Sequence, residues 1–96
     1  MNRYHATVCK WLQALGITYQ EEYPVGQYSV DIYLPDTRVG VEIDGPQHRQ
    51  RQQREHDVAR DAAIERASGM RIVRVPVGTR KAAALHAIFG KDAPAG

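Results

Sequence analysis

The sequence is poor in cysteine, in lysine and in long apolar runs. A single cysteine, Cys9, has no partner for an internal disulfide. That excludes a disulfide-stapled scaffold and fits a reducing, intracellular compartment. No apolar run approaches the ~20 residues needed to cross a bilayer, which leaves no membrane-spanning helix to expect. The amino terminus lacks an apolar stretch followed by a small-residue cleavage site, so no secretory signal is expected. One cysteine and four scattered histidines do not make a zinc site by spacing. Lysine occurs only at positions 10, 81 and 91, and arginine supplies the rest of the 13 basic residues. Arginine makes planar bidentate contacts to phosphate that lysine cannot; a GC-rich genome gives the same bias.

What is present is ordinary globular composition: 43% hydrophobic and 25% charged residues over 96, with a formal net charge of +2. This length is one domain, placed at residues 1–90, with 91–96 as a frayed tail. Val8, Trp11, Leu12 and Leu15 fall at helical spacing, so residues 2–15 read as a helix stopped by Gly16. Residues 17–23 read as a strand ended by Pro24, 28–34 as a second, and 39–44 as a third, with a turn at 35–38. A helix over 50–68, a strand over 70–75 and a helix over 80–89 capped by Thr79 complete the chain. The order α-β-β-β-α-β-α predicts an α/β fold, a mixed sheet of about four strands flanked by helices. Ala59, Ala62, Ala63 and Ala67 suit a helix lying close on that sheet.

The 28–44 hairpin carries the chemistry. Alternate side chains of a strand share a face. That puts Ser29, Asp31 and Tyr33 on one face of the first strand and Val30, Ile32 and Leu34 on the other. In the second strand Glu42 and Asp44 oppose an aliphatic face of Val39, Val41 and Ile43. Closing the turn sets Leu34 against Val39 and Ile32 against Val41, so Asp31 meets Glu42 with Cβ atoms ~5 Å apart. Opposed like charges destabilise a sheet, so something positive belongs between them. A divalent ion such as Mg²⁺, which takes one or two carboxylates and completes its shell with water and phosphate oxygens, is one answer. An arginine on a neighbouring strand, Arg71 or Arg74, is the other.

The run Tyr28 to Pro35, then Glu42-Ile43-Asp44-Gly45 and His48, resembles the small nucleases of the PD-(D/E)XK, restriction-endonuclease-like superfamily. Within it the very-short-patch-repair-like and DUF559 proteins are most similar, and Gly69, Ile72-Val73 and Arg74 match a later element of that branch. The resemblance implies a restriction-endonuclease-like core and a metal-dependent endonuclease using Mg²⁺ or Mn²⁺, with DNA preferred over RNA. It assigns Asp31 and Glu42 as metal ligands, joined by the Ile43 backbone carbonyl. Asp44 stands where the superfamily has a lysine, and His48 takes over acid/base work, for which a group titrating near neutrality is suited. His5 stands near the place of a helix glutamate and is an accessory candidate. The same stretch is similar to the RAP domain through Val30 to Ile32, Glu42 to His48 and Val75-Pro76. That likeness implies a non-catalytic RNA- or DNA-binding module of the same fold, organellar in its setting.

Beside the site, Arg49, Arg51 and Arg54 are candidates for phosphate contact, and Tyr33 for stacking on a base. Arg54, Arg60 and Arg66 are also offset by Glu55, Asp57, Asp61 and Glu65, as on a solvated helix. His56 and His86 read as solvent-facing, and Trp11 as core. So small a surface leaves room for a homodimer or a larger assembly to supply specificity.

Overall fold

The computed structural model describes residues 3–45 and 51–90, with the backbone alone for 51–54. Helix α1 spans Arg3–Ala14 and buries His5, Val8, Cys9 and Leu12, one face at i, i+3, i+4 and i+7 spacing. Gly16, at φ 71°, reverses the chain, and the Ile17 N–H donates back to the Leu12 carbonyl at 2.9 Å. This closure ties Ile17 to the helix, so the first strand starts later than its β-branched residues suggest.

Strands β1 (Gln20–Val25), β2 (Tyr28–Leu34) and β3 (Val39–Asp44) form an antiparallel meander, and β4 (Arg71–Pro76) pairs with β3 in parallel. The sheet order is β1-β2-β3-β4. Pro24 continues β1 rather than ending it and pairs with Ser29, which an edge strand permits because one side of its ladder goes unused. Helix α2 (Arg51–Ser68) makes the crossover from β3 to β4, and α3 (Lys81–Phe89) follows β4. Thr79 does not cap α3: Arg80 holds the N-cap position, and the Thr79 hydroxyl donates to the Pro76 carbonyl at 2.6 Å.

Two cores lie on opposite faces of the sheet. On one, Val8, Cys9 and Leu12 of α1 and Ala84 and Ile88 of α3 pack against Ile32, Leu34, Val39, Val41, Val73 and Val75. On the other, Ile64 of α2 meets Val25, Val30 and Met70, with Tyr23, Tyr28, Tyr33 and Ile72 alongside. Of the alanines of α2, Ala59, Ala62 and Ala67 are exposed and only Ala63 is half-buried; the helix turns Asp57, Arg60, Asp61, Ile64 and Ser68 inward. Gly40 lets the second core close. A Cβ there would lie 2.7 Å from Met70 Sδ and 2.9 Å from both Ile72 Cδ1 and Val30 Cγ1.

The hairpin register is the expected one, with Ile32 opposite Val41 and Leu34 opposite Val39. The expected face of Val30 is not. Val30 packs with Tyr33 on the α2 side, while Ile32 and Leu34 face α1 and α3. Side-chain alternation therefore slips at Asp31. A matching slip occurs in β1 at Glu22, which takes φ 49°; Glu21 lies beside His5 of α1, whereas Tyr23 and Val25 face α2. Glu21 pairs with Ile32 and Tyr23 with Val30, and no bridge joins Glu22 to Asp31 between them.

Candidate functional site

The β2–β3 ladder ends at Ile32 and Val41 although both strands continue. Beyond that point β2 pairs with β1, and β3 pairs with β4 as far as Asp44 and Pro76. The two strands fork, and the slip at Asp31 turns its carboxylate into the opening. There Asp31 Oδ2 accepts the Ile43 N–H at 2.8 Å, a side chain standing in for the missing ladder bond. An extended residue sends its N–H and C=O to the same strand edge, so the Ile43 carbonyl also faces the opening.

Glu42 is the buried member of the pair, 7% exposed. Its carboxyl is pushed up to about 7, first by burial, then by the charge of Asp31, with a hydrogen bond between the two acids adding to the shift and Arg60 opposing it. The two acids thus share one site, although the ladder pair expected between Asp31 and Glu42 is not formed and the fork and the slip bring them together instead. Arg60, on the inward stripe of α2, sets Nη1 3.2 Å from Glu42 Oε1 and donates through Nη2 to the Ser29 carbonyl at 2.6 Å. Its guanidinium lies 5.5 Å from the centre of the Tyr28 ring.

Asp44 accepts from Arg74 Nη1 at 2.9 Å, and Arg74 makes a bidentate contact to Asp61 of α2, 2.8 Å on each arm. Burial works against the Arg74 charge, but the hydrogen bonds and charges of Asp61 and Asp44 outweigh it and hold its pKa up. Of the arginines expected to neutralise the acids, Arg74 serves Asp44. Arg71 instead donates to the Ile88 carbonyl at the end of α3, at 3.0 Å. The partner of Glu42 is Arg60, for which the sequence pattern points equally to a phosphate contact and to a solvated helix face. The signal was available in the crossover: a helix joining β3 to a parallel β4 must cover one face of that pair, and its inward stripe meets whatever β3 presents there.

The other candidates are placed as follows. Tyr33 stacks on Tyr23 with ring centroids 4.2 Å apart, so one of its faces is taken by packing. His5 is buried in α1 beside Glu21 and Cys9. His48 and Arg49 lie outside the described residues, and Arg51 and Arg54 fall in the first turns of α2, where the backbone alone is described. His56 and His86 are exposed as expected. Trp11 is half-buried, edge-on to Tyr4 at 5.9 Å.

A model of the restriction-endonuclease-like family REase_MTES_1575 matches residues 4–79. The chain belongs to this family. The match runs from the first turn of α1 to the loop after β4 and so includes the whole fork. A protein of Haemophilus influenzae (strain Rd) described as uncharacterized is 36% identical over 52 residues, 54% of this chain and 43% of the relative. The chain thus spans less than half the length of that relative. No solved structure matches at a significant level. Among the described residues no helix is long and apolar enough to cross a membrane. Membership of a restriction-endonuclease-like family gives the paired acids a context, since folds of this kind generally work with divalent metals.

The fork fits such an ion on its own chemistry. Two carboxylates and a carbonyl form an all-oxygen donor set, which suits Mg²⁺ or Mn²⁺ over softer metals. A buried carboxyl beside a second acid gains more from a cation than an exposed one does.

Proposed function

We propose that this chain is a divalent-metal-dependent endonuclease that hydrolyses phosphodiester bonds, with DNA preferred over RNA, in the very-short-patch-repair-like and DUF559 branch of the restriction-endonuclease-like proteins. The observation that carries the reading is the fork at Asp31 and Glu42, where a buried acid of raised pKa meets a second carboxylate.

In this reading Asp31, Glu42 and the Ile43 carbonyl hold Mg²⁺ or Mn²⁺, and the ion, when bound, polarises the phosphate and makes water a better nucleophile. The Ile43 N–H orients Asp31 through Oδ2. His48, on the resemblance, takes the proton of the attacking water or returns one to the leaving oxygen. Asp44 occupies the place of the superfamily lysine. Arg74, 2.9 Å from it, brings a fixed positive charge there, and Asp44 acts by positioning that charge. Arg60, once a cation has taken Glu42, is free to meet the scissile phosphate, with Arg49, Arg51 and Arg54 as further phosphate contacts.

The test is cleavage of plasmid, single-stranded DNA and structured RNA with Mg²⁺ or Mn²⁺, against EDTA and Asp31→Asn. Metal-dependent nicking of DNA that disappears in Asp31→Asn supports the reading. A second reading, a RAP-like module that binds RNA or DNA without cutting it, is favoured by one observation: Glu42 and Asp44 each already have an arginine partner. Binding at low salt with no turnover under any metal would select it. A homodimer, or a larger complex, is the proposed source of specificity in either case; a monodisperse monomer in light scattering that still cuts at one site would refute that part.

A further inference from the structure

On the face of the sheet away from α2, three side chains of different chemistry converge. His5 and Cys9 stand one helical turn apart on the buried face of α1, and Glu21 reaches them from β1. His5 Nε2 lies 3.0 Å from Glu21 Oε1, and one ligand atom from each of the three lies within 4.8 Å of the others. His5 is 4% and Cys9 5% exposed, while the Glu21 side chain is 38% exposed.

We propose that His5, Cys9 and Glu21 form a zinc site, separate from the acidic fork. Bonds to Zn²⁺ of about 2.0–2.3 Å place tetrahedral ligand atoms roughly 3.3–3.8 Å apart, a spread these side chains reach by small rotamer adjustments. The i, i+4 pair fixes two ligands on one rigid turn. The donor set is one sulfur, one imidazole and one carboxylate, which favours Zn²⁺ over Mg²⁺ or Mn²⁺. Charge also balances: on binding, the Cys9 thiol releases its proton to solvent, and thiolate and carboxylate together neutralise the dication in a site that water reaches mainly from the Glu21 side. A water molecule entering there takes the fourth position. The Cys9 thiol is pushed up to about 11, first by burial, then by the charge of Glu21 and by their hydrogen bond, with Tyr19 opposing; a cation offsets the charge of Glu21. Sequence spacing hid the site because its third ligand lies in a different element.

The experiment uses full-length, EDTA-stripped protein carrying Asp31→Asn, so that the fork does not compete for metal. Addition of Co²⁺ should give a near-ultraviolet thiolate-to-metal band with tetrahedral visible absorption, both displaced by Zn²⁺. Glu21→Gln, at a half-exposed position, should weaken Zn²⁺ affinity by roughly tenfold or more while circular dichroism reports an unchanged fold in EDTA. Cys9→Ser should remove the near-ultraviolet band. A Co²⁺ spectrum with no thiolate band, or a Zn²⁺ affinity that Glu21→Gln leaves within a few-fold of its parent, would overturn the proposal.

Discussion

At Glu42 two costs add, because the carboxyl is 7% exposed and lies against the charge of Asp31. The sign of the consequence is fixed. With a folded-state pKa of about 7 against 4.5 for the ordinary group, the folded protein keeps a proton that the unfolded chain has already released. In EDTA, stability should therefore fall as pH rises from about 4.5 through 7 and then stay level, by an amount on the order of 3 kcal/mol. Glu42→Gln should abolish cleavage yet raise the urea midpoint at pH 8 and leave it nearly unchanged at pH 5. An effect of equal size at both pH values would mean that burial, not ionisation, governs the residue. Arg60→Ala should cost about 1–3 kcal/mol at pH 8, because it leaves a buried carboxylate without its cation. Combined with Glu42→Gln, most of that loss should vanish, and a double-mutant cycle measures it.

Among the elements, the sheet is held closed at Gly40, where an added methyl would meet Met70, Ile72 and the stiff Val30 side chain at under 3 Å. Gly40→Ala should cost ~1–3 kcal/mol, read as a lower melting temperature by roughly 4–8 °C per kcal/mol in a domain of this size. No loss would show that the second core is loosely packed. This position also marks the boundary of what sequence pattern conveys. The elements, their order and the hairpin register followed from local signals: alternating apolar residues, turn residues at 35–38, and glycines 16 and 69 after helices. The meeting of Asp31 and Glu42 was expected from that register, but the ladder stops one pair short of them, at Ile32 and Val41. The slip at Asp31 was not legible, because alternation is a local rule, and the slip is matched across the ladder by Glu22, which takes a left-handed conformation in the neighbouring strand. Arg60 was hidden for a related reason. The inward face of α2 is charged, so a search for an apolar stripe passes over it, and only the parallel pairing of β4 on β3 shows which face is covered.

At the level of the whole molecule, the acids lie at the end of a fork whose arms belong to different neighbours, β2 to β1 and β3 to β4. A cation lodged there joins the two halves of the sheet and should stabilise the fold as well as serve chemistry. A ligand that binds the folded state alone adds RT ln(1 + [L]/Kd), about 2.7 kcal/mol at a hundredfold excess over Kd. Protons compete with the metal for Glu42, so affinity should rise as pH passes upward through about 7. Mg²⁺ should therefore raise the melting temperature more at pH 8 than at pH 6, and should do neither in Asp31→Asn. The Asp31→Asn control separates this account from nonspecific screening, which does not need Asp31. A Mg²⁺ shift that survives Asp31→Asn, or one that is larger at pH 6, would place the cation somewhere other than the fork.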